Sequence, residues 1–331
     1  MSDSAHDLLK HVNPDHVGLL TAACRAPSAH NAQPWRIRPK KDGQSYELHY
    51  DNKDYLPEDP DDRDAYLTMG AFTETLVLEA PNYGYEAQVT PRLRRHGDDL
   101  FVAEVRLVPR KASAIIDPLS KAISRRHMNR NGYTMEPLTP ELVAELKALG
   151  NSLLEPAALR SVLAEASQKS WANPRFVRDL HEWYRPSLNA PDGFSSPLMH
   201  ISKFDTQAMK LVFRKGSLKS HFMQWLFSTR DIGMFMKAPT AAVLAADDMT
   251  PASLFEAGRR LLRSWTAIAA AGYACHPFSI AIDEKATAPK VAAIAGVKVP
   301  VAMYRIGKTD QPPRVISNRH PLADRLLPPT D

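Results

Sequence analysis

Apolar positions recur at helical spacing between His6 and Arg25, give way to a proline-containing turn, and then alternate with polar ones from Trp35 to Tyr50. The pattern predicts a helix, a loop and a strand in that order. Past an acidic run from Asp51 to Asp64, a helix is predicted over Arg63 to Asn82, closed by Gly84, because a residue free to adopt positive φ can end the last turn. A strand from Phe101 to Val108 follows. The order returns near the other end, with a helix from about Pro251 to Ala271 closed at Gly272 and an alternating segment from Val299 to Ile306.

These two stretches resemble each other in detail. Gly70 precedes Gly84 by fourteen residues and Gly258 precedes Gly272 by fourteen, and each second glycine is followed by a tyrosine, Tyr85 or Tyr273. A small residue inside a helix marks close backbone packing, and the second glycine marks the helix end. The shared helix–Gly–strand context favours duplication over coincidence. It implies an internal pseudo-dimer with halves 1–115 and 116–331, the boundary falling near Lys111 to Leu119, before a helix carrying Ser120 to Asn129.

Composition narrows the function classes. With 331 residues, 44% of them hydrophobic, the chain can bury one large or two medium cores. Cys24 and Cys275 sit in apolar surroundings without partner-like spacing, which suits reduced thiols; a disulfide between them is unneeded. The first ten residues lack a signal peptide's pattern, and the apolar stretch Trp265 to Ile282 is broken at Gly272, His276 and Pro277, so the expectation is a cytoplasmic protein with no membrane partner. The net charge of +5 is modest, and the basic stretch Lys203 to Arg230 reads as a solvated amphipathic helical face rather than a nucleic-acid surface. No P-loop or zinc-ligand cluster appears, and Gly193 to Pro197 lacks the second glycine of a nucleophile elbow. The acidic run lacks the glycine and terminal glutamate of a calcium loop, so no metal is expected.

Two motifs hold candidate chemistry. Ala26-Pro27-Ser28-Ala29-His30-Asn31-Ala32-Gln33-Pro34-Trp35 presents hydroxyl, amide and backbone donors on a turn that its prolines stiffen, which suits a flat, polar-edged ligand. On composition alone an ordinary helix-to-strand turn is favoured, with Ser28 and Asn31 serving the backbone and Trp35 in the core. Arg125-Arg126-His127-Met128-Asn129-Arg130 gathers cations that repel one another unless an anion sits among them, as at a phosphate site. A charged helix end complementing its own dipole accounts for it equally well in isolation.

The order of residues decides between these readings. The first motif resembles the flavin-binding loop of the nitroreductase superfamily, of the form Pro-Ser-x-x-Asn-x-Gln-Pro-Trp, and is most similar to the fused, Acg-like branch. The second resembles the Arg-x-Ser-x-Arg or Arg-His-Ser-x-Lys signature that opens nitroreductases. The resemblance is strong over residues 25–36, moderate over 124–133, 256–280 and 299–322, and weak across 140–235. It implies an α+β fold of the FMN-dependent nitroreductase kind, an internal pseudo-dimer of two α/β sandwich halves. It also implies an FMN site in which Pro27, Ser28, Ala29, Asn31 and Gln33 reach across the interface between halves. Arg125, Arg126, His127 and Met128 would lie along the phosphate and ribityl chain, and Arg130 at the pyrimidine edge. Met128 departs from the usual Ser, which removes one hydrogen bond. Pro277, Phe278, Ser279 and Ile280 match the stretch facing flavin N5, with a buried strand start as the plainer account. Ser317 and Arg319 match the final phosphate-binding element, Ser317 standing where lysine is frequent.

The first half has the loop without the arginines, and the second has the arginines without the loop, so one complete FMN site per chain and one decayed site are expected. The resemblance implies ping-pong chemistry: NADH or NADPH gives a hydride to the flavin, and an electron-poor acceptor, a nitroaromatic or quinone, takes it. Arg130 and Asn31 would stabilise the charge that develops on the ring. Two other functions stay open, an FMN store with little turnover and a flavin-free interaction module. The segment 171–236 is expected to form a helical cover. Its aromatic residues, Trp171, Phe176, Trp183, Tyr184, Phe194, Phe204, Phe213, Phe222, Trp225 and Phe227, would either line a channel or, more simply, form a helical core. Further association of chains into a homodimer is left open.

Overall fold

The structure, a computed structural model, describes residues 7–51, 59, 61–97, 99–199, 203–215, 220–313 and 316–330. Most of the acidic run 51–64 lies outside them. So do the first six residues and the side chain of Phe204.

The predicted first helix is shorter than its pattern. Two 3-10 turns, Leu9–His11 and Pro14–His16, precede α1, Val17–Ala23. Pro14 has no N–H to give, and the Asn13 side chain takes the Asp15 amide at 3.1 Å, so the helix starts afresh there. The predicted strand from Trp35 to Tyr50 is a hairpin of β1, Trp35–Pro39, and β2, Ser45–Asp51. Its turn is set by Asp42, which accepts the Gln44 and Ser45 amides, and by Gly43 at φ +67°. Helix α2, Arg63–Glu79, runs on as a 3-10 turn to Gly84, whose φ of 82° closes it as expected.

Strand β3, Tyr85–His96, precedes β4, Asp99–Pro109. Tyr85, Ala87 and Val89 alternate with polar residues and half-bury one face of β3 against the core, but no residue of the strand is fully buried and its second part, Pro91 to His96, is mostly basic, so the sequence pattern does not predict it as a strand. The helix expected over Ser120 to Asn129 is instead two 3-10 turns, Pro118–Lys121 and Ile123–Arg125, with the chain extended from Arg126 onward. There Met128 bridges Cys275 and the Asn129 amide donates to the Cys275 carbonyl at 3.1 Å, which satisfies the backbone without a helix.

The second half adds α3, Pro140–Ala148; β5, Asn151–Leu154; α4, Arg160–Ala172; α5, Pro174–Trp183; α6, Lys203–Lys215; and α7, His221–Phe235. Then come β6, Thr240–Ala246; α8, Pro251–Ala270; β7, Ala274–Pro277; α9, Ile280–Asp283; α10, Ala288–Ala295; and β8, Val299–Gly307. Thr250 caps α8 by accepting the Ser253 amide, and Gly272 follows it at φ 77°.

The fold is α+β, and the described residues form two four-stranded sheets. One has the order β1-β2-β4-β3 and the other β5-β6-β8-β7, and every pairing is antiparallel. In both, the long helix connects the second strand to the third. The registers slip at matching places: between Leu48 and His49 opposite β4, passing over Val102, and between Leu244 and Ala245 opposite β8, passing over Val301. Helices α2 and α8 cross at the glycines singled out from the sequence. A Cβ on Gly70 would lie 2.1 Å from the Phe255 carbonyl oxygen, and one on Gly258 would lie 2.2 Å from that of Leu67. Glu74, fully enclosed at this crossing, accepts from Arg259 and Arg263 at 2.7 Å each.

Among the described residues no helix is long and apolar enough to cross a membrane. Cys24 and Cys275 are free and buried, and burial pushes both thiols up to about 12. Only a thiolate attacks disulfide reagents, so neither cysteine is expected to react at about pH 8 in the native protein, and both should react once it is unfolded in urea. Counting released thiolate with and without denaturant checks this; a rapidly reacting native thiol would contradict the packing described.

Candidate functional site

The loop after α1 is held in an unusual conformation. His30, Asn31 and Gln33 have φ of 49°, 58° and 55°, a region that costs a residue with a Cβ roughly 1–2 kcal/mol. Surrounding bonds impose it. Ser28 Oγ accepts the Gln33 amide at 3.0 Å, and the buried Gln33 side chain donates to the Asn31 and Pro191 carbonyls at 3.1 and 2.7 Å. Gln33 Oε1 accepts the His320 amide at 2.9 Å, and Arg325 donates to the Gln33 carbonyl at 2.9 Å. Asn31 Nδ2 donates to the Asn318 carbonyl at 3.2 Å, while its buried Oδ1 has no partner.

This loop forms one wall of a cavity of about 640 Å³. Leu67, Thr68 and Ala71 of α2, Leu261 and Trp265 of α8, and Val301 and Ala302 at the β8 bulge form its apolar floor. The cover contributes Leu180, Phe194, Leu198 and Met199. Both halves of the chain therefore contribute to this cavity.

Of the residues singled out from the sequence, Pro27, Ser28, Ala29, Asn31, Arg126, His127, Met128, Arg130, Pro277, Ser279, Ser317 and Arg319 come together on this wall. Gln33, Arg125, Phe278 and Ile280 do not. Gln33 lies behind the loop and holds it. Arg125 points away, and its carbonyl accepts from His127 Nδ1 at 2.8 Å. Phe278 packs on Phe235, ring centres 5.2 Å apart, and Ile280 opens α9 against the apolar cluster of Leu163, Phe235, Val243 and Met303.

The electrostatics are one-sided. Arg126, Arg130 and Arg319 are each held below the usual arginine range, at about 10, foremost by burial. Neighbouring arginines add to this: Arg25 depresses Arg126, Arg126 and Arg25 depress Arg319, and Arg305 depresses Arg130. Arg126 donates to the Arg25 carbonyl at 3.1 Å, Arg130 to the Leu198 carbonyl at 3.2 Å, and Arg319 to Ser317 Oγ at 2.7 Å. Among the described residues no carboxylate pairs with any of the three, and Nε of both Arg130 and Arg319 is buried without a partner. Cations left unpaired against a cavity fit an anionic ligand with several acceptor oxygens.

The sequence reading passed over several supports. Arg305, fully buried in β8, donates to the carbonyls of Arg130, Asn131 and Lys237 at 3.1, 2.8 and 3.0 Å and lies 4.4 Å over the Tyr133 ring. It fixes the backbone that presents Arg130, but nothing in an alternating strand distinguishes it from a surface arginine. The apolar floor follows from the periodicity of α2 and α8, which shows an inward face without showing that part of it borders a cavity. Most of the cover's aromatic residues pack among themselves: Trp171 with Phe176 and Phe227, and Trp183 with Tyr184 and Phe213. Phe194 reaches the cavity, and Phe222 and Trp225 are exposed.

No family model matches the chain. Two sequences named "Putative NAD(P)H nitroreductase", from two strains of Mycobacterium tuberculosis, are 30% identical to it over 178 residues, covering 50% of this chain and 49% of each relative. The chain thus spans about half the length of the curated relatives it matches. Among solved structures, an FMN-dependent nitroreductase of Mycobacterium smegmatis in complex with NADPH shares 18% identity, covers 62% of this chain and 96% of its own, and superposes with a TM-score of 0.38. A nitroreductase-like family protein of Bacillus cereus shares 13% identity, covers 65% and 97%, and has a TM-score of 0.34. Over about half of its length, then, the chain is similar to two mycobacterial proteins named as NAD(P)H nitroreductases.

Proposed function

We propose that this protein is an FMN-dependent NAD(P)H oxidoreductase whose acceptors are nitroaromatics or quinones. The observation that favours this reading most is the convergence of Arg126, Arg130 and Arg319, which no carboxylate pairs among the described residues, on a cavity that the strained loop at residues 27–31 also lines. When bound, FMN would supply the two-electron chemistry, accepting a hydride from NADH or NADPH and passing it on. Arg126, Arg319 and Ser317 would hold its phosphate, and His127 and Met128 would flank the ribityl chain. Arg130 and the Asn31 amide would sit at the ring edge where negative charge builds up. Pro27, Ser28, Ala29, Pro277 and Ser279 would complete the enclosure and keep bulk water away from the ring.

The two halves, 1–115 and 116–331, are read as diverged copies of one unit. The repeated strand order, the matching bulges and the reciprocal glycine crossing support that reading. They also favour one flavin site per chain. Aligning Gly70 with Gly258 puts Arg259 in the place of Ala71, the small residue on the cavity floor, and Arg259 is tied to Glu74 and Glu256. We read this ion-paired arginine as closing the matching position of a decayed second site. The buried free cysteines fit a reducing compartment, and we place the protein in the cytoplasm.

The cover wall at Leu180, Phe194, Leu198 and Met199 gives some weight to a second reading, a flavin store. Steady-state oxidation of NADH and NADPH with a quinone and a nitroaromatic separates the two. Sustained turnover is the expected result; a flavin-loaded protein that neither nucleotide reduces would contradict the oxidoreductase reading.

A further inference from the structure

His30 lies on the cavity wall in its strained left-handed conformation, and no role in holding a cofactor has been given to it. Its Nε2 is 2.8 Å from Asp179 Oδ2 on α5 of the cover. The Asp179 side chain is 4% exposed and its second oxygen is buried with no partner, so the imidazole is the contact that compensates its burial. An ionised carboxylate accepts and cannot donate, which places the shared proton on Nε2. The other nitrogen, Nδ1, has no hydrogen-bond partner among the described residues, and the ring keeps 26% of its surface where it borders the cavity. The cavity's own carboxylate and its other imidazole are engaged elsewhere. Asp64 is paired with Arg63 at 2.8 Å, and the His127 ring is bonded to the Arg125 carbonyl beside the arginines.

A ring oriented through one nitrogen by a buried carboxylate, with the other nitrogen open to a ligand cavity, is the arrangement of a general acid. We propose that His30 donates the proton that accompanies reduction of the acceptor, that Asp179 is its positioning residue, and that the preferred acceptors take a proton with their electrons, as quinones and nitroaromatics do. This rests on the flavin reading above. For a quinone the atoms balance as follows. One hydrogen, with its electron pair, would be supplied as hydride by the bound flavin once NAD(P)H has reduced it. The other arrives as a proton from Nδ1 of the imidazolium. The N–H bond breaks, an O–H bond forms on the acceptor, and the neutral ring regains its proton from solvent.

The test compares acceptors in one preparation, normalised to bound flavin. Ferricyanide takes an electron and no proton, so in His30→Gln the quinone rate is expected to fall about 100-fold relative to the ferricyanide rate. Asp179→Asn should shift the same ratio in the same direction by a smaller factor. An independent readout is the imidazole tautomer in 15N spectra of histidine-labelled protein: Nε2–H in the wild type, and a mixture in Asp179→Leu. Equal loss with both acceptors, or an unchanged tautomer in Asp179→Leu, would overturn the role of His30 and leave the flavin reading standing. A wild-type protein that takes up no flavin would overturn both.

Discussion

Replacing Arg126 with alanine is expected to weaken FMN binding about 10- to 100-fold, the equivalent of one charge-assisted hydrogen bond of roughly 1.5–3 kcal/mol to phosphate. Arg319→Ala should behave alike, because the two guanidinium groups share the Arg25 carbonyl and border the same cavity. Arg125→Ala serves as the contrast. It is adjacent in sequence and equally basic, but its side chain is exposed and off the cavity wall, so affinity should stay within about twofold. The same reasoning gives an unusual expectation for the apo protein. Arg126 is held below its ordinary range by burial without a carboxylate to offset it, so removing the cation should not lower apo stability while it removes flavin binding. Fluorescence titration of apo protein with FMN, alongside urea unfolding of the same variants, reads both quantities.

Gly258→Ala is expected to have the largest effect on stability, about 3 kcal/mol or more. The new Cβ would lie 2.2 Å from the Leu67 carbonyl oxygen and 2.8 Å from its carbon, and backbone atoms of a packed helix cannot move aside as a flexible side chain would. Gly70→Ala meets the reciprocal obstacle at Phe255 and should cost about as much. Because α2 and α8 also form the cavity floor, forcing them apart should weaken flavin binding as well. Gly233→Ala makes the opposite case: no atom lies within 4 Å of its Cβ position on α7, so it should be neutral or stabilise by up to about 1 kcal/mol. Urea denaturation of the three variants checks the ordering. Similar midpoints for Gly258→Ala and Gly233→Ala would contradict the close crossing.

The features most legible in the sequence were those that local chemistry imposes. Gly84 and Gly272 end their helices in left-handed geometry, which glycine adopts at least cost, and Gly70 and Gly258 mark where two helices touch, because a Cβ there would meet the other backbone. The loop at residues 27–31 and the arginines at 126 and 130 were visible as motifs. What stayed hidden depended on long-range contacts. Strand β3 has only a half-buried face and a mostly basic second part, and the hairpin turn at Asp42 and Gly43 sits inside one continuous alternating pattern. The segment after Arg125 is extended because it pairs with Cys275, a partner about 150 residues away that no local propensity reveals. Gln33 and Arg125 belong to the right motifs but occupy the wrong side of their backbone. His30, inside the loop motif, gains its interest only from Asp179, which lies in the segment where the resemblance is weakest.

The most direct test of the central claim is the flavin content of the purified protein, from its visible absorption spectrum and from FMN released by heating. One FMN per chain is the predicted result, since one cavity combines the loop with arginines that no carboxylate pairs, while the position on α8 that matches the floor residue Ala71 is Arg259, tied to Glu74. Two FMN per chain would contradict the single composite site, and a colourless protein that also fails to take up added FMN would contradict the flavoenzyme reading itself.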